Sequence, residues 1–318
     1  ATIAFQLEHA DSQFLIYERE LSATVKEVLS QCKVKPQLIE FIDKEHSYES
    51  LDNFDLDVID YEEFLDQGDS NYQWLMPENE WDAISVGYTS GTTGDPKGVV
   101  SHHRGAYLLA QGNAMVASMP KHSVYLWTLP MFHCNGWCYP WTLAMLHARV
   151  FCIRNIRAKE IFELIDKYNV THFGGAPIVL NMITGAPESD KKKLKQKVYV
   201  LTAGAPPPSI IFKKMKELGF EVMHVYGLTE TYGHVTQCAW NDAWNEFDEE
   251  KQNEIKARQG VRYPNTEGIT VMNPETMKEV PKDGKTIGEI MIKGNVVMKG
   301  YFKDKDATDK AMGGGWIH

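Results

Sequence analysis

Apolar and polar residues recur along this chain with periods that change from block to block. Residues 1–10 carry apolar positions at helical spacing, like the second half of an amphipathic helix, and a short apolar run, FLIY at 14–17, follows. LSATVKEVLSQC at 21–32 returns to helical spacing, and LIEFI at 38–42 is again a short run. Short runs bounded by polar residues predict strands, and longer stretches with apolar residues three or four apart predict helices. The acidic stretch 49–69 contains no Lys or Arg. It predicts a solvated connection with one short helix around 61–65.

After Pro77 the alternation resumes, with strand-like runs at 83–88, 124–129, 150–153, 197–201 and 222–226 separated by helix-like segments. This α/β order predicts mostly parallel sheets flanked by helices on both faces. From Gly268 onward, short alternating runs are broken by Asn, Pro, Asp and Gly, which predicts antiparallel strands and turns. The expected division is therefore an α/β part over 1–267 and a β-rich subdomain over 268–318. Lysines 191, 192, 193 and 195 form a local basic patch, read as a solvated face.

Composition narrows the function. The formal net charge of −10 argues against a surface that tracks nucleic acid or anionic lipid. Five scattered cysteines are too few for a disulfide framework in 318 residues and favour a reducing compartment. No apolar run is long enough to span a bilayer, and the first residues lack a signal-peptide pattern. The expectation is a soluble cytoplasmic protein acting on small molecules. Because Ala1 already lies inside a helix-like segment, the chain is expected to be incomplete at its start.

The segment YTSGTTGDPKG at 88–98 follows a strand-like run and precedes a helix-like one starting near Ser101. Glycines Gly91 and Gly94 let backbone N–H groups turn toward a phosphate. Thr89, Ser90, Thr92 and Thr93 add hydroxyls, and Lys97 adds a positive charge. A Walker A loop needs Gly before its Lys and Ser or Thr after it. Here Pro96 and Gly98 flank Lys97, so that reading fails.

This segment resembles the phosphate-binding signature of the adenylate-forming superfamily, which includes acyl-CoA synthetases, luciferases and the adenylation domains of peptide synthetases. Companion motifs follow in the superfamily's order: TLPMFHCNGW at 128–137, GGAPIV at 174–179, TAGAPPP at 202–208, YGLTET at 226–231 and GEIMIKGNVVMKGY at 288–301. Within the superfamily, the wording FHCNGWC and LTETYG is most similar to medium-chain acyl-CoA ligases, methylmercaptopropionate-CoA ligases and plant acyl-activating enzymes. The resemblance implies the large N-terminal domain of such an enzyme. It also implies a reaction in which a carboxylate attacks the α-phosphorus of ATP, pyrophosphate leaves, and the acyl-adenylate meets the thiol of CoA.

By the same resemblance, Thr229 would donate to the α-phosphate and Glu230 would hold Mg²⁺, with Lys97 as a further catalytic cation. Tyr226 would lie against adenine, bordered by Gly204, Ala205 and Pro206, with Val225 and Gly227 nearby. His133, Trp137, Gly175, Gly233 and His234 would shape the acyl pocket. In amino-acid-adenylating domains the residue after the motif's Phe is usually Asp, which pairs with the substrate ammonium. His133 offers no fixed negative charge there, so an acid without an α-amine is expected.

Plainer readings stand beside these. Thr229 and Glu230 could be an ordinary helix cap, TAGAPPP a simple strand-to-helix turn, and Trp137 a core side chain. His133, Cys134 and Cys138 match no standard zinc spacing and read as a histidine with free thiols beside a pocket. An amino-acid adenylation domain and a non-catalytic ATP-binding protein remain the alternative functions. In the superfamily the phrase GGGWIH at 313–318 is followed by a Thr-Gly-Asp ribose anchor, an Arg hinge and a small C-terminal domain with a catalytic Lys. Their absence here predicts weak ATP binding and no acyl-CoA formation by this chain alone. Oligomeric state and a peroxisomal address stay open.

Overall fold

Phe14–Glu18 and Gln37–Phe41 form strands where the apolar runs predict them, joined through a 3₁₀ turn at Arg19–Leu21 and the helix Ser22–Gln31. That connection is long enough for a parallel crossover, and the strands pair in parallel with Phe14 opposite Gln37. The helix buries Val25 against Tyr17 and Leu38, and Val28 against Leu7 and Cys32. A third parallel strand, Val58–Asp60, pairs with the second. The acidic stretch therefore contributes a strand as well as a connection, because the β-branched Val58 and Ile59 lie opposite Leu38 and Ile39. Asp60 then caps the helix Tyr61–Asp66, its carboxylate accepting from the N–H of Glu62 at 2.9 Å.

This computed structural model describes residues 1–48, 56–89 and 96–318. Two compact units are distinguished, the one just outlined within residues 1–76 and a larger one built from 77–89 and 97–318.

The larger unit is organised around a seven-stranded sheet. Its order is Val261–Arg262, Gly233–Gln237, Phe220–Leu228, Val198–Thr202, His172–Gly174, Val124–Trp127 and Arg149–Cys152. The five strands from Phe220–Leu228 onward are parallel to their neighbours. The first two are antiparallel. Side chains alternate between two cores, as strand geometry requires. Leu126, Phe173 and Val200 face the helices Ala158–Tyr168, Pro177–Thr184 and Ser209–Glu217 through Phe162, Leu180 and Phe212. Tyr125, Trp127 and Leu201 join the opposite cluster with Leu109 and Leu143 from the helices His103–Val116 and Tyr139–Met145. Each such buried side chain contributes about 1.5–3 kcal/mol, so burial on both faces holds this sheet between two helical layers.

The helix expected near Ser101 begins instead at His103, and Gly98–His102 is a strand antiparallel to Ala83–Tyr88. Val99 and Val100 favour extended backbone, and the His102 ring Nδ1 accepts from the Gly105 N–H at 3.0 Å to cap the delayed helix. The glycine-rich segment thus connects two antiparallel strands rather than running straight into a helix. Gly300–Tyr301 adds a third strand beside Gly98–His102. The β-rich pattern after Gly268 appears as an antiparallel sheet of Gly268–Asn273, Lys278–Glu279 and Glu289–Lys293.

Candidate active site

In a parallel sheet all strands end at the same edge, and the loops leaving that edge are where α/β proteins bind ligands. Here Val124–Trp127 leads into 128–137, and His172–Gly174 leads into Gly175. Val198–Thr202 leads into Gly204, Ala205 and Pro206, and Phe220–Leu228 leads into Thr229 and Glu230. The fold therefore carries these sequence-predicted residues to one end of one sheet. TAGAPPP leaves the sheet as irregular chain and turns helical only at Ser209, as its prolines require. Gly204, Ala205 and Pro206 are exposed, whereas Val225 is buried in the core beneath.

Thr229–Thr231 is a single 3₁₀ turn between the strands Phe220–Leu228 and Gly233–Gln237. The register slips between Tyr226 and Gly227, a bulge of the kind that re-aims side chains beside active sites. Local capping is done by Thr231, whose Oγ1 accepts from the Leu228 N–H at 3.0 Å and donates to the Gly233 carbonyl at 2.8 Å. Thr229 is thereby released from the ordinary cap role. Among the described residues its hydroxyl takes a long contact from the Cys134 thiol, at 3.9 Å.

Glu230 is held from two directions: its carbonyl accepts from the Met298 N–H at 2.8 Å, and its carboxylate from the Tyr301 hydroxyl at 2.7 Å. The Lys97 ammonium lies 5.0 Å from the centroid of the same tyrosine ring. At the base of the glycine-rich segment, Thr89 and Lys97 exchange two hydrogen bonds. The Thr89 N–H donates to the Lys97 carbonyl at 3.0 Å, and the Lys97 N–H to Thr89 Oγ1 at 3.1 Å. Ser90, Gly91, Thr92, Thr93 and Gly94 lie outside the described residues. Glu230 is one carboxylate, and no three His, Cys, Asp or Glu side chains converge among the described residues. That donor set fits a Mg²⁺ that arrives with phosphate oxygens and keeps its waters, not one caged by protein.

The segment FHCNGWC folds into a left-handed turn. Five successive residues, Cys134, Asn135, Gly136, Trp137 and Cys138, have φ between 42° and 66°. For residues other than Gly and Asn this conformation costs about 1–2 kcal/mol each, so surrounding contacts must impose it. The Asn135 amide oxygen accepts from Ser85 Oγ at 2.8 Å, the Trp137 carbonyl accepts from Asn113 at 3.0 Å, and Cys138 is fully buried. Burial pushes the Cys134 thiol up to about 11, with the nearby Glu230 charge adding to the shift, and raises Cys138 as well.

Beyond this turn the predicted acyl-pocket residues divide. Trp137 and His234 are buried and meet edge to face at 4.7 Å, and Tyr263 meets the imidazole edge to face at 6.0 Å. Gly175 and Gly233 are also buried, while His133 is exposed. Trp137 thus packs in the core, the plainer of its two readings, while also bordering His234. Among the described residues neither of the buried His234 ring nitrogens has a hydrogen-bond partner, and burial drives its pKa down to about 3. Sequence reasoning did not single out Tyr301, Asn135 or Ser85. Tyr301 stood inside a quoted motif, but its contact with Glu230 reaches across the fold.

Comparison with known proteins identifies the family and the fold. A family model described as AMP-binding enzyme matches residues 1–302. The acetate/butyrate–CoA ligase AAE7, peroxisomal, of Arabidopsis thaliana is 48% identical over 327 residues, covering 100% of this chain and 57% of its own length. The acetate–CoA ligase CCL3 of Humulus lupulus is 46% identical, covering 100% of this chain and 58% of its own. The chain thus spans somewhat more than half the length of these relatives. Among solved structures, the N-terminal domain of FACL13 from Mycobacterium tuberculosis superposes with a TM-score of 0.75 at 24% identity, covering 99% of this chain and 72% of that one. The luciferase-like enzyme from the mealworm Zophobas morio superposes with a TM-score of 0.78 at 21% identity, covering 99% of this chain and 70% of that one. At such identities these structures speak for the fold alone. With its strand-end loops, its Thr229–Glu230 turn and a family match over nearly its whole length, the chain belongs to the AMP-binding enzymes.

Proposed function

We propose that this chain forms the nucleotide- and acid-binding part of an ATP-dependent carboxylic acid:CoA ligase, which makes an acyl-adenylate and then an acyl-CoA thioester. The observation that carries the reading is the Thr229–Thr231 turn. It offers one hydroxyl spared from capping and one carboxylate anchored by Tyr301, whose ring the Lys97 ammonium also faces. A carboxylate is a poor acyl donor because its charge repels nucleophiles and oxide leaves badly, and adenylation removes both obstacles. Catalysis of that step is mostly orientation and charge neutralisation. In this reading Lys97 and the hydroxyls of Thr89, Ser90, Thr92 and Thr93 receive the phosphates, with the N–H groups of Gly91 and Gly94. Thr229 donates to the α-phosphate, while Tyr226, Gly227, Val225, Gly204, Ala205 and Pro206 enclose the adenosine. Glu230 would hold Mg²⁺, which when bound neutralises charge on the leaving pyrophosphate.

His133, Trp137, Gly175, Gly233 and His234 enclose the acid in the same reading. The names of the relatives in Arabidopsis and hop point to short acids, and the exposed His133 gives an α-ammonium no fixed partner. The division into an α/β part over 1–267 and a β-rich part over 268–318 belongs to the same proposal. No described helix is long and apolar enough to cross a membrane. We place the enzyme in the cytoplasm, with the peroxisome, named for several relatives, as the competing address.

The test is acid-dependent exchange of labelled pyrophosphate into ATP by the product of the complete reading frame. Acetate, butyrate, hexanoate, an aromatic acid and an amino acid form the panel. Exchange with short or medium acids and none with the amino acid is expected. Exchange with the amino acid alone, or with none of them, rejects the reading.

A further inference from the structure

Residues 298–302 fasten together the two elements that carry Lys97 and Glu230. On one side the Met298 N–H donates to the Glu230 carbonyl at 2.8 Å and the Tyr301 hydroxyl to the Glu230 carboxylate at 2.7 Å. On the other side Gly300 and Tyr301 pair with Val100 and Val99. The N–H groups of Lys299 and Phe302 donate to the carbonyls of Val100 and Gly98 at 2.9 and 2.6 Å. This strand begins one residue after Lys97, whose ammonium lies 5.0 Å from the Tyr301 ring centroid. One uncharged side chain therefore touches a cation with its face and an anion with its hydroxyl.

The two contacts use different parts of the phenol. A ring face attracts an ammonium through its quadrupole. A hydroxyl donating to a carboxylate makes a charge-assisted hydrogen bond and fixes one oxygen, leaving the other available. Lys and Glu side chains are otherwise rotamer-rich, and ordering each of them costs conformational entropy. A residue that orders both before ligand arrives removes that cost from binding.

We infer that Tyr301 is a positioning residue for adenylation: its hydroxyl fixes the Glu230 carboxylate and its ring steadies the Lys97 ammonium, so that both are aligned for the phosphates of ATP. The inference rests on the ligase reading above, which supplies ATP as the ligand.

Tyr301→Phe keeps the ring and removes the hydroxyl; Tyr301→Leu removes both. ATP affinity is measured by calorimetry on the product of the complete reading frame, once with Mg²⁺ and once with EDTA, and thermal unfolding of each variant is recorded. The wild type is expected to bind ATP more tightly with Mg²⁺. Tyr301→Phe should shrink that gain about tenfold, close to the low end for a hydrogen bond to a charge, while Mg²⁺-free affinity stays within about twofold. Tyr301→Leu should weaken both. In a double-mutant cycle, Tyr301→Phe should add no loss to Glu230→Gln, since the hydroxyl acts through that carboxylate.

An unaltered Mg²⁺ gain in Tyr301→Phe, or an effect fully additive with Glu230→Gln, overturns the inference. A purely structural tyrosine would lower the melting temperature without touching the Mg²⁺ gain. If the leucine variant does not fold, the phenylalanine variant and the cycle decide alone. A wild type that shows no Mg²⁺-dependent ATP binding rejects the ligase reading itself, so the wild-type titration distinguishes the two failures.

Discussion

At Gly227 there is no space for one more carbon. A Cβ placed there would stand 1.8 Å from the Gly233 carbonyl oxygen, a backbone atom that cannot rotate away. Gly227→Ala must separate the two strands at the bulge that presents Thr229 and Glu230. The expected outcome is a loss of about 3 kcal/mol or more, seen as a large fall in denaturation midpoint, with ATP binding lost in whatever stays folded. A near-normal midpoint would show that the strands can part cheaply. Buried histidines set a pH dependence. Burial lowers His172 to about 4 and His234 to about 3, below the value near 6.5 expected in the unfolded chain. Their contribution is thus complete above pH 6.5. It declines as pH falls toward 4, where the unfolded state takes up protons that the native state refuses. Each histidine adds up to about 1.4 kcal/mol per pH unit to that slope. His172→Gln should flatten stability between pH 6.5 and 5 by about one proton, measured by urea unfolding; an unchanged slope would remove His172 from the account. Thr229 and Glu230 were legible because they sit in one short motif. The bond from Tyr301 to Glu230 was not, since nothing local to either residue encodes it, and the orphaned nitrogens of His234 emerge only once three aromatic rings have been packed.

Elements were read best where their hydrophobic period was long. Helix Ala158–Tyr168 buries Ile161, Phe162 and Ile165 on one stripe, and the strands near 124, 150, 198 and 222 fall within about two residues of their runs. His172–Gly174 escaped because three residues carry no period, and Gly98–His102 because the loop's glycines and the following helix obscured two valines. The left-handed turn was beyond sequence reading altogether. Only Asn135 and Gly136 favour positive φ, and the other three positions are imposed by burial and, at Trp137, by the hydrogen bond from Asn113 on the helix His103–Val116. Gly136→Ala should expose that dependence. Its Cβ would meet the Trp127 ring at 2.7 Å, and alanine at φ 66° adds a cost of its own. A loss of about 2–4 kcal/mol is expected in urea unfolding, with quenching or a shift of tryptophan fluorescence as Trp127 and Trp137 repack. A stability change under about 0.5 kcal/mol would mean that the turn relaxes freely.

On the scale of the whole molecule, the α/β class, the change to antiparallel strands after Gly268 and the parallel core of the large sheet all followed from pattern. The antiparallel edge and the third strand of the first unit did not, because short strands are specified by their neighbours. The two units have separate cores, and the smaller one contains a buried charge. Glu40, 7% exposed, accepts from Arg19 Nε at 2.9 Å and from the hydroxyl of Tyr17 at 3.3 Å. Glu40→Ala leaves Arg19 and Tyr17 without that acceptor and should cost on the order of 2 kcal/mol, discounted because the arginine is partly exposed. Hydrogen exchange should accelerate across Phe14–Glu18 and Gln37–Phe41 while the seven-stranded sheet keeps its protection. Acceleration in both would mean that the two units open together.

The clip made by residues 298–302 has a consequence for synthesis. A ribosome that has released the strand Gly98–His102 must still translate about 200 residues before Tyr301 emerges, roughly 10–40 s at ordinary elongation rates. During that interval the strand has an open edge, and neither Lys97 nor Glu230 has the tyrosine that orders it. A nascent chain of this protein therefore cannot hold its phosphate-facing charges in their final arrangement, and any chaperone that guards exposed strand edges has its longest opportunity here.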